Sequence, residues 1–403
     1  MTQASQLLTG ATGSLGAHIL SQLTSLPHVR HVYCLVRAAS PDAAQQRVVD
    51  SLVSRGLTPH HSSAHKRIVA SLASRGLPPH HHSSKFTALP ADLSLPDLGL
   101  GSEAYDALRS CLTSVVHSAW AVNFNLTVRS FEAQHIVGLR HLLDLCLSVP
   151  FSRPARLAFI SSVSAAAGTP SPARVPETLV ADPAHAQNMG YAQSKWVAEH
   201  IIHAAATATG MEARVLRSGQ IIGDSVMGRW NPTEAIPLMF RSAQSLGALP
   251  VLDETPSWLP VDKSAQAVLE LSGLSTVGNQ TASYFQLQDN PGVVYHVQNP
   301  VTARWTEDIL PAMAAAGLEF ETVGQREWVR RLRDGEQDPT LNPTVKLLDF
   351  FTEKYDSDAP GRSGLVFETS VTEARSKTIA GGYDVVSTGL LSRCVESWRK
   401  DWE

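Results

Sequence analysis

The sequence predicts an α/β protein, a doubly wound parallel sheet with a smaller, mainly helical region towards the C-terminus. Three observations predict it. Short apolar or β-branched runs alternate with helical patterns through the first two thirds of the 403 residues, the order expected of βαβ units. Several of those runs are apolar throughout, as strands covered on both faces should be. A glycine-rich turn, TGATGSLG, separates the first run from the first helical pattern.

The first run, QLLTG, begins almost at once, at Gln6. A chain that starts its first strand so early reads as a domain of something longer. The turn that follows, with Thr12, Ser14 and Leu15 between its glycines, keeps Gly10, Gly13 and Gly16 at three-residue spacing. That spacing lets the backbone turn tightly, lets a pyrophosphate approach, and packs the helix on the sheet. Amides at the helix start favour the anion. A dinucleotide cofactor is the expectation.

The second run, HVYCLVRAAS, decides which dinucleotide. An Asp or Glu at its end would hold the ribose hydroxyls of NAD, but the run ends in Arg37 and no acid appears until Asp42. A guanidinium there can fork onto a phosphate. NADPH is therefore expected, with Arg47, one helix on, as a second contact.

Next comes a local duplication: SLVSRGLTPHHSS from Ser51 and SLASRGLPPHHHSS from Ser71, 20 residues apart. Two copies cannot make a solenoid. The histidines they carry, His60, His61, His65, His80, His81 and His82, lack the one-face spacing of helical ligand pairs. A solvated loop inserted between the second and third strands is expected, and no metal site.

Three further runs place residues where a bound dinucleotide would pass, because ligands of open α/β sheets sit at the carboxyl ends of strands. KFTALPADL ends in Asp92 and Leu93, SVVHSAW in Ser118, Ala119 and Trp120, and RLAFISSVS carries Ser161 and Ser162. A sixth run, EARVLRSGQIIG, and a seventh, VVYHVQNP at 293–300, complete a Rossmann-type sheet. The expected division is a cofactor domain over 1–225 with a return of the chain around 258–302. A helical substrate domain takes 226–257 and 303–403.

The stretch GYAQSKWVAEH puts Tyr191 and Lys195 four apart at a helix start, so both reach one small volume. Beside a nicotinamide the pair acquires a role. The lysine ammonium and an oxidised nicotinamide would stabilise phenolate, bringing Tyr191 nearer the operating pH of a general acid. Lys195 can also hold the nicotinamide ribose. Ser162 can donate a second hydrogen bond to the same developing oxyanion.

Composition narrows the partners. Apolar residues make up 43% and charged ones 17%, and 33 basic against 37 acidic side chains give a net charge of −4. No basic field invites nucleic acid. The four cysteines, Cys34, Cys111, Cys146 and Cys394, form no CxxC pair and suit free thiols in a reducing cytoplasm. No run approaches the ~20 apolar residues of a membrane span.

A serine followed about thirty residues later by YxxxK, on a glycine-turn α/β chain, resembles the extended short-chain dehydrogenase/reductases. The stretches LLTGATGSLGAHIL, LVRA, ALPADLSLPDLGL, VVHSAWAVNF, FISSVSA, GYAQSKWVAEHII, VLRSGQIIGD and WLPVDKSAQAVLEL narrow the likeness. They resemble the terminal thioester reductase domains of fungal nonribosomal-peptide-synthetase-like enzymes and adenylate-forming reductases. The duplication departs from that pattern.

The resemblance implies upstream domains and a phosphopantetheine-bearing carrier protein that delivers an acyl thioester. NADPH would reduce the carbonyl, with Tyr191 and Ser162 on its oxygen, and collapse of the thiohemiacetal would release an aldehyde. Related cyclising domains lack the tyrosine. Gln220 and the turn Arg229 to Pro232 are candidates for the acyl pocket, with packing an equal alternative; Trp398 and Trp402 read as core. The rival expectations are a nucleotide-sugar epimerase or dehydratase and a non-catalytic redox-sensing regulator.

Overall fold

The computed structural model describes residues 4–57, 85–275, 292–357 and 364–402. The six histidines of the duplication and its second copy lie outside the described residues. The strands, in chain order, are β1 (Ala4–Thr9), β2 (Val29–Val36), β3 (Phe86–Pro90), β4 (Leu112–His117), β5 (Arg156–Ser162), β6 (Ala173–Val175), β7 (Ala213–Ser218), β8 (Ile221–Ile222), β9 (Ala248–Val251), β10 (Leu259–Pro260), β11 (Gly292–Val297), β12 (Glu321–Gly324) and β13 (Leu365–Phe367). Seven of them form one sheet in the order β11-β7-β5-β4-β1-β2-β3. Every pairing in it is parallel. The order reverses between β1 and β4, and that switch point opens a crevice at the carboxyl ends.

The seven apolar runs are these seven strands. Their lack of alternation has a direct cause: Leu7 and Leu8, adjacent in β1, are both fully buried but belong to opposite faces of the sheet. One face is covered by α1 (Ser14–Ser25), α2 (Pro41–Ser54) and a later helix at 261–271; the other by helices at 138–148 and 190–209. The sixth run differs from its expectation. It breaks after Ser218 into β7 and β8, because the Gly219 amide turns to the Val297 carbonyl (3.1 Å) and β8 pairs with β10 instead.

The helices used below are α3 (Ser102–Arg109), α4 (Gly138–Ser148), α5 (Gly190–Thr209), α6 (Ala235–Ser245), α7 (Val261–Leu271), α8 (Leu310–Ala315), α9 (Gln325–Asp334), α10 (Leu348–Tyr355), α11 (Ser370–Arg375), α12 (Lys377–Gly381) and α13 (Leu390–Trp402). A third cluster, rich in tryptophan, joins α6, α9, α10 and α13 through Phe240, Trp328, Phe351 and Trp398. Trp398 is fully buried, and Trp402 stacks on it at 5.6 Å. Two short parallel ladders, β9 with β12 and β6 with β13, interrupt the helices. The stretch from 258 to 302 carries β10, α7 and β11, and α7 packs on α1.

Candidate active site

The glycine turn sits at the switch point. Gly10 has φ +79°, and a Cβ there would meet the Ser118 and Ala119 backbone at 2.8 and 2.9 Å. A Cβ on Gly16 would fall 2.0 Å from the Gly10 carbonyl. Helix α1 can thus start only against a bare backbone. Gly13 is its N-cap and supplies no side-chain hydrogen bond, so the first-turn amides of Ser14, Leu15 and Gly16 carry no side-chain cap. Uncapped amides at an exposed helix start are an anion cradle, and the turn fits a pyrophosphate on that ground. Ser51 of α2 braces the turn by donating to the Thr12 carbonyl at 3.0 Å.

Thr9 holds β1 to β4 at the same point. Its hydroxyl oxygen accepts from the Ser118 and Ala119 amides at 3.1 and 3.0 Å and so donates to His117 Nδ1 at 2.7 Å. Neither Thr9 nor His117 was singled out in the sequence. Burial, with the nearby charge of Lys195, lowers His117 to about 3; it stays neutral.

Arg37 stands exposed at the end of β2, and among the described residues it pairs with no carboxylate. Arg47 lies beside it, its Nη1 donating to the Arg37 carbonyl. Asp92, beyond β3, is occupied by Ser94 and Gln134: the Ser94 hydroxyl donates at 2.6 Å and the Gln134 amide at 3.0 Å, which lowers its pKa. The Leu93 carbonyl accepts from His141 at 2.9 Å.

The ends of β4, β5 and α5 converge. Lys195 is 3% exposed, and its Nζ donates to the Ile160 carbonyl at 2.6 Å. Its ammonium lies 4.3 Å over the Trp120 ring and 4.5 Å over Phe159, a cation–π seat. The Trp120 indole donates to Ser194, which donates to the Tyr191 carbonyl at 2.7 Å. His135, on a π-helical turn over Glu132–Val137, packs on Trp120 at 4.9 Å. Burial and the charges of Lys195 and Arg37 lower His135 to about 4.

Ser161 and Ser162, expected together, part company because strand side chains alternate. Ser161 is buried and donates to Glu199 at 2.5 Å; Glu199 pairs with Arg217 at 2.7 Å, both fully buried. Ser162 faces the other way, towards Tyr191, and opposes the rise in that phenol's pKa. Its oxygen also accepts from the Ser164 amide and hydroxyl at 3.2 and 2.9 Å.

Without the dinucleotide, the lysine alone does not bring the phenol down: burial raises Tyr191 above its ordinary value, and only Ser162 opposes it. Burial also lowers Lys195 well below the usual lysine range, against the pull of Glu199. Desolvation penalises both charged forms at once, so the phenol is held as an acid.

The two acyl-pocket candidates differ in their surroundings. Gln220 is exposed and donates to the Ile221 carbonyl. In the turn at 229–232, Arg229 donates to the Ser54 carbonyl, and Trp230 is buried against Trp258 and Trp398. Packing accounts for Trp230, while Gln220 and Arg229 stay exposed. Nearer the site, Phe124 is 44% exposed and Val122 70%; the Phe124 ring lies 5.5 Å from Tyr191 and 6.3 Å from Phe350 of α10.

Among the described residues no cluster of three or more His, Cys, Asp or Glu could hold a metal, and no helix is long and apolar enough to cross a membrane.

Residues 8–268 match the family profile described as male sterility protein, an NAD-binding family. The 3-methylorcinaldehyde synthase tropA of Talaromyces stipitatus is 30% identical over 98% of this chain, which spans 14% of that protein. The non-canonical non-ribosomal peptide synthetase ascB of Acremonium egyptiacum is 32% identical over 96% of the chain, which spans 34% of it. Among solved structures, the terminal R domain from the myxalamid PKS-NRPS pathway superposes with a TM-score of 0.78 at 25% identity, over 99% of this chain and 91% of that one.

Proposed function

The chain belongs to the male sterility protein family of NAD-binding domains, within the extended short-chain dehydrogenase/reductases, and from that footing we propose that it releases a carrier-bound acyl thioester as an aldehyde at the expense of NADPH. The observation that carries the reading is the meeting of Ser162, Tyr191 and Lys195 at the strand ends beside an uncapped glycine turn. The relatives that the chain matches include a synthase named for an aldehyde product, and the chain spans only a small share of their length. Its natural setting on that reading is a multidomain enzyme whose carrier protein presents the acyl group on phosphopantetheine.

The amides of Ser14, Leu15 and Gly16 would hold the pyrophosphate and Arg37, aided by Arg47, the 2′-phosphate. When bound, the reduced nicotinamide supplies hydride to the thioester carbonyl carbon. Tyr191 and Ser162 donate hydrogen bonds to the carbonyl oxygen and strengthen them as charge develops there. Tyr191, kept protonated by its burial, passes its proton to that oxygen. Lys195 holds the ribose and offsets the phenolate left behind. Collapse of the thiohemiacetal frees the aldehyde and the carrier thiol.

A nucleotide-sugar epimerase is disfavoured by the strand-two end, where Arg37 stands in place of an acid. The test mixes the protein with NADPH and a panel of acyl pantetheine thioesters, follows absorbance loss and identifies the product. Aldehyde formation is expected. Turnover of a nucleotide sugar with none on any thioester would overturn the proposal.

A further inference from the structure

Ser161, Arg217 and His296 are register partners on the neighbouring strands β5, β7 and β11, so their side chains form a row across one face of the sheet. All three are buried, and so is Glu199 of α5, which settles on the row. Its carboxylate accepts from the Ser161 hydroxyl at 2.5 Å and from Arg217 Nε and Nη2 at 3.1 and 2.7 Å. His296 brings no charge: its Nδ1 donates to the Glu368 carbonyl at 2.6 Å, and its Nε2 accepts from Arg217 Nη1 at 3.2 Å. Glu177, beyond it, is taken up by the His296, Val371 and Thr372 amides. Lys195 stands one turn before Glu199, on the same helix face. Adjacent strand residues bracket the two heads, because Lys195 Nζ donates to the Ile160 carbonyl at 2.6 Å while Glu199 takes the Ser161 hydroxyl. The other groups set against the lysine are neutral: the Trp120, Phe159 and Tyr191 rings, His117 of β4 and His135 of the π-helical turn. Arg37, beyond His135, is exposed. Two buried cations thus share one carboxylate.

We propose that Glu199 is a positioning residue that works through Lys195: its one carboxylate pairs with Arg217 and also keeps the lysine an ammonium. The consequence for catalysis rests on the reduction proposed above, in which that ammonium binds the ribose and offsets the phenolate. Burial by itself drives the lysine towards the neutral amine, and Glu199 is the charge that opposes it. Without that charge two cations remain in the interior, and of the two only the lysine can shed its proton.

The experiment follows the protonation of Lys195 itself, by NMR of protein isotopically labelled at the lysine Cε, with the signal assigned by its loss in Lys195→Arg. In Glu199→Gln the midpoint of its titration should fall by about one to three pH units, the effect of withdrawing an opposite charge from a group at close range. Arg217→Met, which withdraws a cation instead, should leave the midpoint in place or raise it. Glu199→Gln leaves Arg217 buried alone, which can cost the fold, so Glu199→Gln/Arg217→Met repeats the test with both charges gone. There too the midpoint should fall. A Glu199 that only braces the helix predicts the wild-type midpoint in every variant that folds. That result, or a fall in Arg217→Met as well, would overturn the inference. The alkaline limb of kcat for thioester reduction should move in step with the midpoint. A wild-type protein inert on every thioester fails the function proposal instead, and the titration still decides this one.

Discussion

Phe124 stands edge-on to Tyr191, ring planes at 72° and centroids 5.5 Å apart, while its other side lies nearly parallel to Phe350 of α10 at 6.3 Å and 25°. One ring thus joins Tyr191 to the helical region. Edge-to-face and offset pairs are favoured by the ring quadrupole, so Phe124 is held although 44% of it faces solvent. If Tyr191 activates the carbonyl as proposed, the exposed face of Phe124 is a surface on which a planar acyl group can stack.

Replacing Phe124 by Ala removes that surface. Aromatic pairs are worth about 0.5–1.5 kcal/mol beyond burial, so KM for an aryl thioester should rise roughly three- to tenfold. KM for an acetyl thioester should barely move. Steady-state kinetics on the two substrates checks this, and equal changes in both would refute it.

Ser162→Ala removes one of two donors to the developing oxyanion. A loss on the order of a hundredfold in kcat is expected, without abolition. Tyr191→Phe takes the proton as well and should cost about 10²–10⁴-fold. Single-turnover rates with saturating NADPH separate these losses from cofactor binding.

Arg37→Ala should raise KM for NADPH far more than for NADH, since only the former carries the phosphate that a guanidinium forks onto. Arg47→Ala should act in the same sense but less. Comparable effects on both cofactors would remove the basis for NADPH preference.

Acid sensitivity should arise from histidines. Burial holds His117 at about 3 and His135 and His296 at about 4 in the folded chain, against 6.5 when unfolded. Between those values the unfolded state binds more protons, so stability rises with pH up to about 6.5 and falls as pH drops towards 4. Each group contributes at most about 1.4 kcal/mol per pH unit. Urea midpoints at pH 6.5 and 5 should differ, and His117→Asn should shrink the difference.

Much of the sheet was legible because its strands are covered on both faces: consecutive residues such as Leu7 and Leu8 must both be apolar, and that leaves a run. The glycine turn was legible because Gly10 and Gly16 meet backbone where no side chain fits. The Tyr191 and Lys195 pairing followed from helical spacing alone. What stayed hidden depends on the third dimension. Helical spacing brings a phenol near an ammonium, but desolvation, invisible in a string of letters, decides which way each pKa moves. The turn that carries Trp230 reads equally as pocket or as packing until Trp258 and Trp398 close around it. Strand alternation could have separated Ser161 from Ser162 in advance; nothing local announced Ser164 as a partner for the latter.

Glu177 lies between Ser162 and Tyr191 in the chain, yet its carboxylate accepts from the Val371 and Thr372 amides at 2.6 and 3.0 Å and from the His296 amide at 3.1 Å. Arg174 reaches Glu368 at 3.0 Å, and β6 is zipped to β13. The segment that spaces the Ser162 and Tyr191 hydroxyls is therefore laced to residues almost two hundred positions downstream. Anyone grafting this unit onto a foreign protein must carry the final helices along, because a cut made before residue 364 would unlace the floor beneath Ser162 and Tyr191 rather than trim an ornament.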